Sequence, residues 1–152
     1  MKREDAGVGA FADPRVAFFD RQAPTWDRTG PDPVMTLRRL GELEGRLGLK
    51  SGMEVLEVGC GTGQLTGWLV ERVRPGRVVA WDFSPAMLEM ARARAVDADF
   101  ELRDICEVRE ESRRFDLVFC FQAFPHFRDR LAAMRQMARQ LKPAGELVVM
   151  HL

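Results

Sequence analysis

Cysteine is scarce in this chain and scattered along it. Cys60, Cys106 and Cys120 are its three cysteines in 152 residues, and no two form a Cys-x-x-Cys pair. An odd, dispersed set excludes a disulfide framework and a zinc site. It predicts a reducing, cytoplasmic setting. Histidine is scarcer still, at two residues. His126 and His151 lack the nearby third ligand that a metal centre needs, so no metal is expected. Charge of one sign is also missing: 23 Lys+Arg stand against 23 Asp+Glu, a formal net charge of zero. Nucleic-acid binders usually carry a basic excess or stripe, so nucleic acid is not an expected partner. No apolar run approaches the roughly 20 residues of a membrane span, and no secretory h-region stands at the N-terminus.

What is present is an ordinary globular composition, 46% hydrophobic and 30% charged. The length predicts one domain over residues 1–152, burying roughly two thirds of its unfolded surface. Residues 1–12, small and charged, are expected to be flexible. Residues 13–48 read as N-terminal helices. Asp13-Pro14 is an N-cap followed by proline at the first turn, ahead of Val16, Ala17, Phe18 and Phe19. Ala23–Asp27 and Gly30–Pro33 form a loop dense in turn residues. Asp32-Pro33 repeats the cap before a stripe of Val34, Leu37, Leu40, Leu43 and Leu47, which Gly48 can close.

Residues 53–152 alternate strand and helix. Strands are expected near Met53–Val58, Val78–Asp82, Asp99–Arg103, Phe115–Phe121 and Glu146–His151. Helices are expected from Gly63, after Ser84-Pro85 and over Asp129–Leu141, with Glu107–Arg114 crossing the surface. This alternation predicts an α/β fold with a parallel sheet and right-handed crossovers.

In an open parallel sheet the ligand site lies at the carboxyl ends of the strands. There the first strand delivers Glu57 and the turn Gly59-Cys60-Gly61-Thr62-Gly63. The second delivers Asp82, the third Asp104, and the fourth Phe121, Gln122 and then His126. A glycine turn lets backbone approach a ligand closely, and the helix behind it aims free N–H groups at the same place. Asp82 follows by about 20 residues, the spacing at which a carboxylate meets a ribose diol. Asp104 can accept from an exocyclic amine, with Phe83 and Ile105 as apolar walls. Two cofactor classes use such a frame. A dinucleotide site wants G-x-G-x-x-G, but Thr66 stands where the last glycine belongs, and counting from Gly59 places Gln64 there. An acid two residues before the first glycine suits a cation better than a phosphate.

The ordered set resembles the class I S-adenosylmethionine-dependent methyltransferases. Glu57–Gly63 looks like their first motif, Ala80–Leu88 their second, and Leu102-Arg103-Asp104 with Ile105 the adenine-contacting position. Phe115–Phe127 is similar to their fourth strand and following loop, and Leu141–Leu147 to the turn into the fifth. Phe18-Phe19-Asp20 and Ala23–Asp27 resemble the leading segment of the small-molecule members. The resemblance implies a three-layer Rossmann-like sandwich with strand order 3-2-1-4-5. The family's last two strands are absent from this chain.

It also implies a cofactor, S-adenosyl-L-methionine (product S-adenosyl-L-homocysteine). Its expected contacts are Glu57, Gly59, Cys60, Gly61, Thr62, Gly63, Asp82, Phe83, Met87, Asp104, Ile105, Phe121 and Gln122. Phe19 and Trp26 either cover the cofactor or staple the N-terminal helix to the sheet. His126 is the candidate base, set against a structural, hydrogen-bonded histidine, and His151, also at a carboxyl strand end, is the second. Cys60 is read as a small residue that fits its turn, although a helix start can activate a thiol. The implied reaction is methyl transfer to a small molecule. The alternatives are a protein or RNA acceptor, or a non-catalytic cofactor-binding module. A bare fifth strand is a pairing hazard, so that edge is expected to be covered, for example by a second copy in a homodimer.

Overall fold

β1 (Glu54–Val58) sits at the centre of the sheet, with Val55, Leu56, Glu57 and Val58 all buried. The structure, a computed structural model, describes residues 13–151, so the flexibility expected of residues 1–12 lies outside it. β2 (Arg77–Asp82) and β4 (Phe115–Phe121) flank β1 and are buried on both faces. β3 (Asp99–Leu102) and β5 (Leu141–Met150) form the edges. The order is β3-β2-β1-β4-β5 and every pairing is parallel, as the resemblance implies.

Alternation along β1 divides the core. Leu56 and Val58 join Val118, Cys120, Ala133 and Met137, the last two from α6 (Arg130–Gln140). Val55 joins Leu65, Leu69, Val70 and Val73 around α4 (Thr66–Val73), together with Leu40 of α3 (Pro33–Leu43). Leu88 of α5 (Pro85–Ala93) packs on Ala80 and Cys60. Helices therefore cover both faces, as a parallel sheet requires. Glu57 shares the Val55 side by the same two-residue period, which carries it towards α4.

The helix starts follow their capping residues. Asp13, Asp32 and Asp129 each accept a backbone N–H at the start of α1 (Pro14–Gln22), α3 and α6. Ser84 does the same for α5. Three boundaries differ from expectation. α4 begins at Thr66 instead of Gly63, because Gly61 and Gly63 take φ of 56° and 78° and keep the turn out of the right-handed helical region. Between the prolines of the N-terminal loop, Trp26–Thr29 forms a single helical turn, α2, closed by Gly30 N–H donating to Trp26 O at 2.7 Å. β5 begins at Leu141, paired with Phe115. The register then jumps to Glu146 opposite Leu117, so residues 142–145 bulge. Among the described residues, nothing pairs with the outer edge of β5, and no helix is long and apolar enough to cross a membrane.

Leu56 is fully buried at the middle of the central strand. Leu56→Ala is expected to lower stability by about 2–5 kcal/mol in urea unfolding. A loss well under 1 kcal/mol would mean that β1 is not the core strand.

Candidate functional site

The turn after β1 is fastened to the end of β2. Gly59 N–H and Cys60 N–H both donate to Trp81 O, at 2.8 and 3.0 Å. Gly59 takes φ of 77°, and a Cβ there would collide with Ala123 Cβ just beyond β4. This position therefore requires glycine on both conformational and steric grounds. Asp82 completes the joint: its Oδ2 accepts from Gly61 N–H at 2.8 Å, and its Oδ1 from Ser84 N–H at 2.9 Å. One carboxylate thus ties the glycine turn to the start of α5.

Glu57 and Asp82 are only 3% and 7% exposed. Burial pushes the Glu57 carboxyl up to about 7; the Thr66 hydroxyl, donating to Oε2 at 2.7 Å, pulls it down, and the Asp82 charge adds to the rise. Burial also pushes Asp82 up, against the N–H groups of Ser84, Gly61 and Phe83 that hold it down. Cys60 lies beside both acids. Burial and their charges push its thiol well up, and α4 starts only at Thr66, so no helix start activates it.

These groups floor an open cleft with a cavity volume of about 110 Å³. Phe83 and Met87 line it from the start of α5, Phe121, Gln122 and His126 from the end of β4, and Phe19 and Trp26 from the N-terminal segment. Gln122 adopts a left-handed φ of 57°, an outlier that its N–H, donating to Met150 O at 2.8 Å, holds in place. His126 packs edge-on against Phe19, centroids 5.2 Å apart, and Phe19 does the same with Trp26 and Phe83. Phe19 and Trp26 therefore both cover the cleft and fasten the N-terminal segment. Among the described residues, no Lys or Arg lines the cleft; its carboxylates are Glu57 and Asp82.

Three expected cofactor contacts, Gly63, Asp104 and Ile105, do not line the cleft; Gly63 instead faces Ala91 of α5. Ile105 packs into the core with Val58 and Trp81, because burial of its apolar side chain outweighs exposure at a ligand wall. Asp104 accepts from Cys106 N–H at 2.9 Å and pairs with Arg15 at 3.1 Å. The Arg15 guanidinium lies over the Phe83 ring, 5.0 Å from its centroid, on the approach to Asp104. His151 lies just past β5, exposed and outside the cleft.

Sequence reasoning missed the residues that hold the cover down. Asp20 accepts from the Ser84 hydroxyl at 2.6 Å and from Ala86 N–H at 3.2 Å. Asp27 accepts from the Thr62 hydroxyl at 2.6 Å and the Gln64 amide at 2.8 Å, and pairs with Arg94. Asp13 and Asp104 share Arg15. The acids Asp20 and Asp27 stood in the segments already singled out. Their partners lie more than 30 residues away, and no local pattern announces them.

Comparison with known proteins agrees with this geometry. A family model described as a methyltransferase domain matches residues 55–145. A malonyl-[acyl-carrier protein] O-methyltransferase of Acetivibrio thermocellus is 35% identical over 99 residues, which is 64% of this chain and 35% of the relative. A ubiquinone biosynthesis O-methyltransferase of Xanthomonas oryzae pv. oryzae is 33% identical over 135 residues, 84% of this chain and 55% of the relative. The chain thus spans between about a third and about half of the length of these curated relatives. Among solved structures, the DhpI–SAH complex superposes with a TM-score of 0.73 at 26% identity, covering 88% of this chain and 65% of that one. Fold, glycine turn, buried acids and these similarities converge: the chain belongs to the class I S-adenosylmethionine-dependent methyltransferases.

Proposed function

We propose that the cleft binds S-adenosylmethionine and that the protein transfers its methyl group to a small-molecule acceptor. One observation carries this reading: two buried carboxylates converge on a glycine turn in a cleft that no Lys or Arg lines among the described residues. Such a donor set repels a pyrophosphate and suits a cationic, hydroxyl-bearing ligand. The residues therefore fit the group.

Bound there, S-adenosylmethionine supplies a methyl made electrophilic by its sulfonium. Glu57 holds the ligand's ammonium end, with Thr66 fixing the carboxylate. Asp82 accepts from the ribose hydroxyls with the lone pairs that Gly61 and Ser84 leave unused. Gly59 and Gly61 let the turn pass close to the ligand without a side chain at those positions. Phe83 and Met87 flank the adenine. Asp104 becomes available to the exocyclic amine when Arg15 swings off it, and Ile105 acts only from behind, as core. Phe19 and Trp26 exclude water from the cleft. His126, with no side-chain hydrogen bond among the described residues, is free to take the proton of an acceptor hydroxyl on a ring nitrogen.

Asp82→Ala is expected to weaken S-adenosylhomocysteine binding by about 1–3 kcal/mol in calorimetry, with folding checked by thermal unfolding. Unchanged affinity in a folded variant would refute the ribose assignment. The Glu57 carboxyl, raised to about 7, predicts a pH effect of definite sign. Below that value the folded protein holds a proton which a cationic ligand must expel. Affinity should therefore rise by up to about tenfold per pH unit as pH approaches 7, then level off. Glu57→Gln should abolish the slope; a slope that survives would place the titrating group elsewhere. For His126→Ala, cofactor affinity should stay near that of the unaltered chain while methyl turnover falls. Full turnover would leave His126 as scaffold.

A further inference from the structure

The reading above gives the cleft a cofactor and leaves its acceptor unnamed. Besides Glu57, Asp82 and the glycine turn, the lining includes the aromatic residues Phe19, Trp26 and Phe121 and three polar side chains, Thr36, Gln122 and His126. Resting on that reading, we propose that these residues bind an uncharged aromatic hydroxyl compound, a phenol, and reject carboxylates and phosphates.

The charge distribution argues for rejection of anions. Among the described residues, the lining offers no Lys or Arg to meet one. The guanidiniums that touch lining residues Phe83 and Thr62 are already engaged. Arg15 keeps its pair with Asp13 when it leaves Asp104, and Arg94 is held by Asp27 and by Thr62 O at 2.6 Å. An entering carboxylate would lose its water and face Glu57 and Asp82 with no counter-ion, a cost that an uncharged hydroxyl avoids.

The shape and the polar groups argue for a flat hydroxyl compound. Phe19 meets Trp26, Phe83 and His126 edge-on at centroid separations of 5.9, 5.7 and 5.2 Å. These rings make an aromatic wall, and a further ring joins such an array favourably, face or edge. Thr36 is 8% exposed and sits on α3. Its hydroxyl, the Gln122 amide and the His126 imidazole can each donate to or accept from a phenolic oxygen without needing charge.

The test uses two ligands of one shape, naphthol and naphthoate, titrated calorimetrically into the chain saturated with S-adenosylhomocysteine. We expect naphthol to bind at least about tenfold more tightly than naphthoate. Thr36→Lys, which gives a carboxylate a partner, should reverse the order. Naphthoate binding as tightly as naphthol, saturable binding of neither, or an unchanged order in a folded Thr36→Lys variant each overturns the proposal. All three leave the methyl-donor reading intact. Failure of S-adenosylhomocysteine itself to bind would instead remove that reading, and the proposal with it.

Discussion

Two carboxylates buried side by side under a glycine turn are the constraint from which the rest of the structure can be read. Burying an acid without a cation is costly, and this fold keeps Glu57 and Asp82 at 3% and 7% exposure with only hydroxyl and amide partners. The consequence is visible in Glu57, whose carboxyl burial raises to about 7. A ligand that brings positive charge relieves that cost, and one that brings phosphate aggravates it. Selectivity between cofactor classes thus begins in what the cleft omits as much as in what it contains.

The cover over the cleft depends on the same elements. Asp27 bonds the glycine-turn side chains Thr62 and Gln64, Asp20 bonds the cap of α5, and Arg15 bonds Asp104 beyond β3. The N-terminal segment is therefore fastened to the loops after three successive strands, and its aromatic residues Phe19 and Trp26 line the cleft. Partly exposed hydrogen bonds and ion pairs of this kind are individually weak. The cover can loosen locally without unfolding the sheet.

Much of this was legible in the sequence. Proline behind an Asp or Ser cap marked the starts of α1, α3 and α5, and the alternation of apolar strands with helices gave the parallel sheet and its order through the family resemblance. The acids Glu57 and Asp82 and the turn between them were legible because their spacing is set by one strand–turn–helix unit. Asp104 and Ile105 illustrate the limit. Their positions after β3 were read correctly, but whether a side chain faces ligand or core depends on what else packs there. Ile105 found Val58 and Trp81, and Asp104 found Arg15, 89 residues distant. The β5 boundary failed for a related reason. Pro143 and Gly145 read as a turn, yet strand pairing resumes on both sides of a bulge.

The central claim is that the cleft selects a cationic adenosyl sulfonium over a pyrophosphate. A competition titration of S-adenosylmethionine against NADH at neutral pH tests it directly. The account predicts saturable binding of S-adenosylmethionine that NADH does not displace. Tight binding of NADH, or its displacement of S-adenosylmethionine, would contradict it.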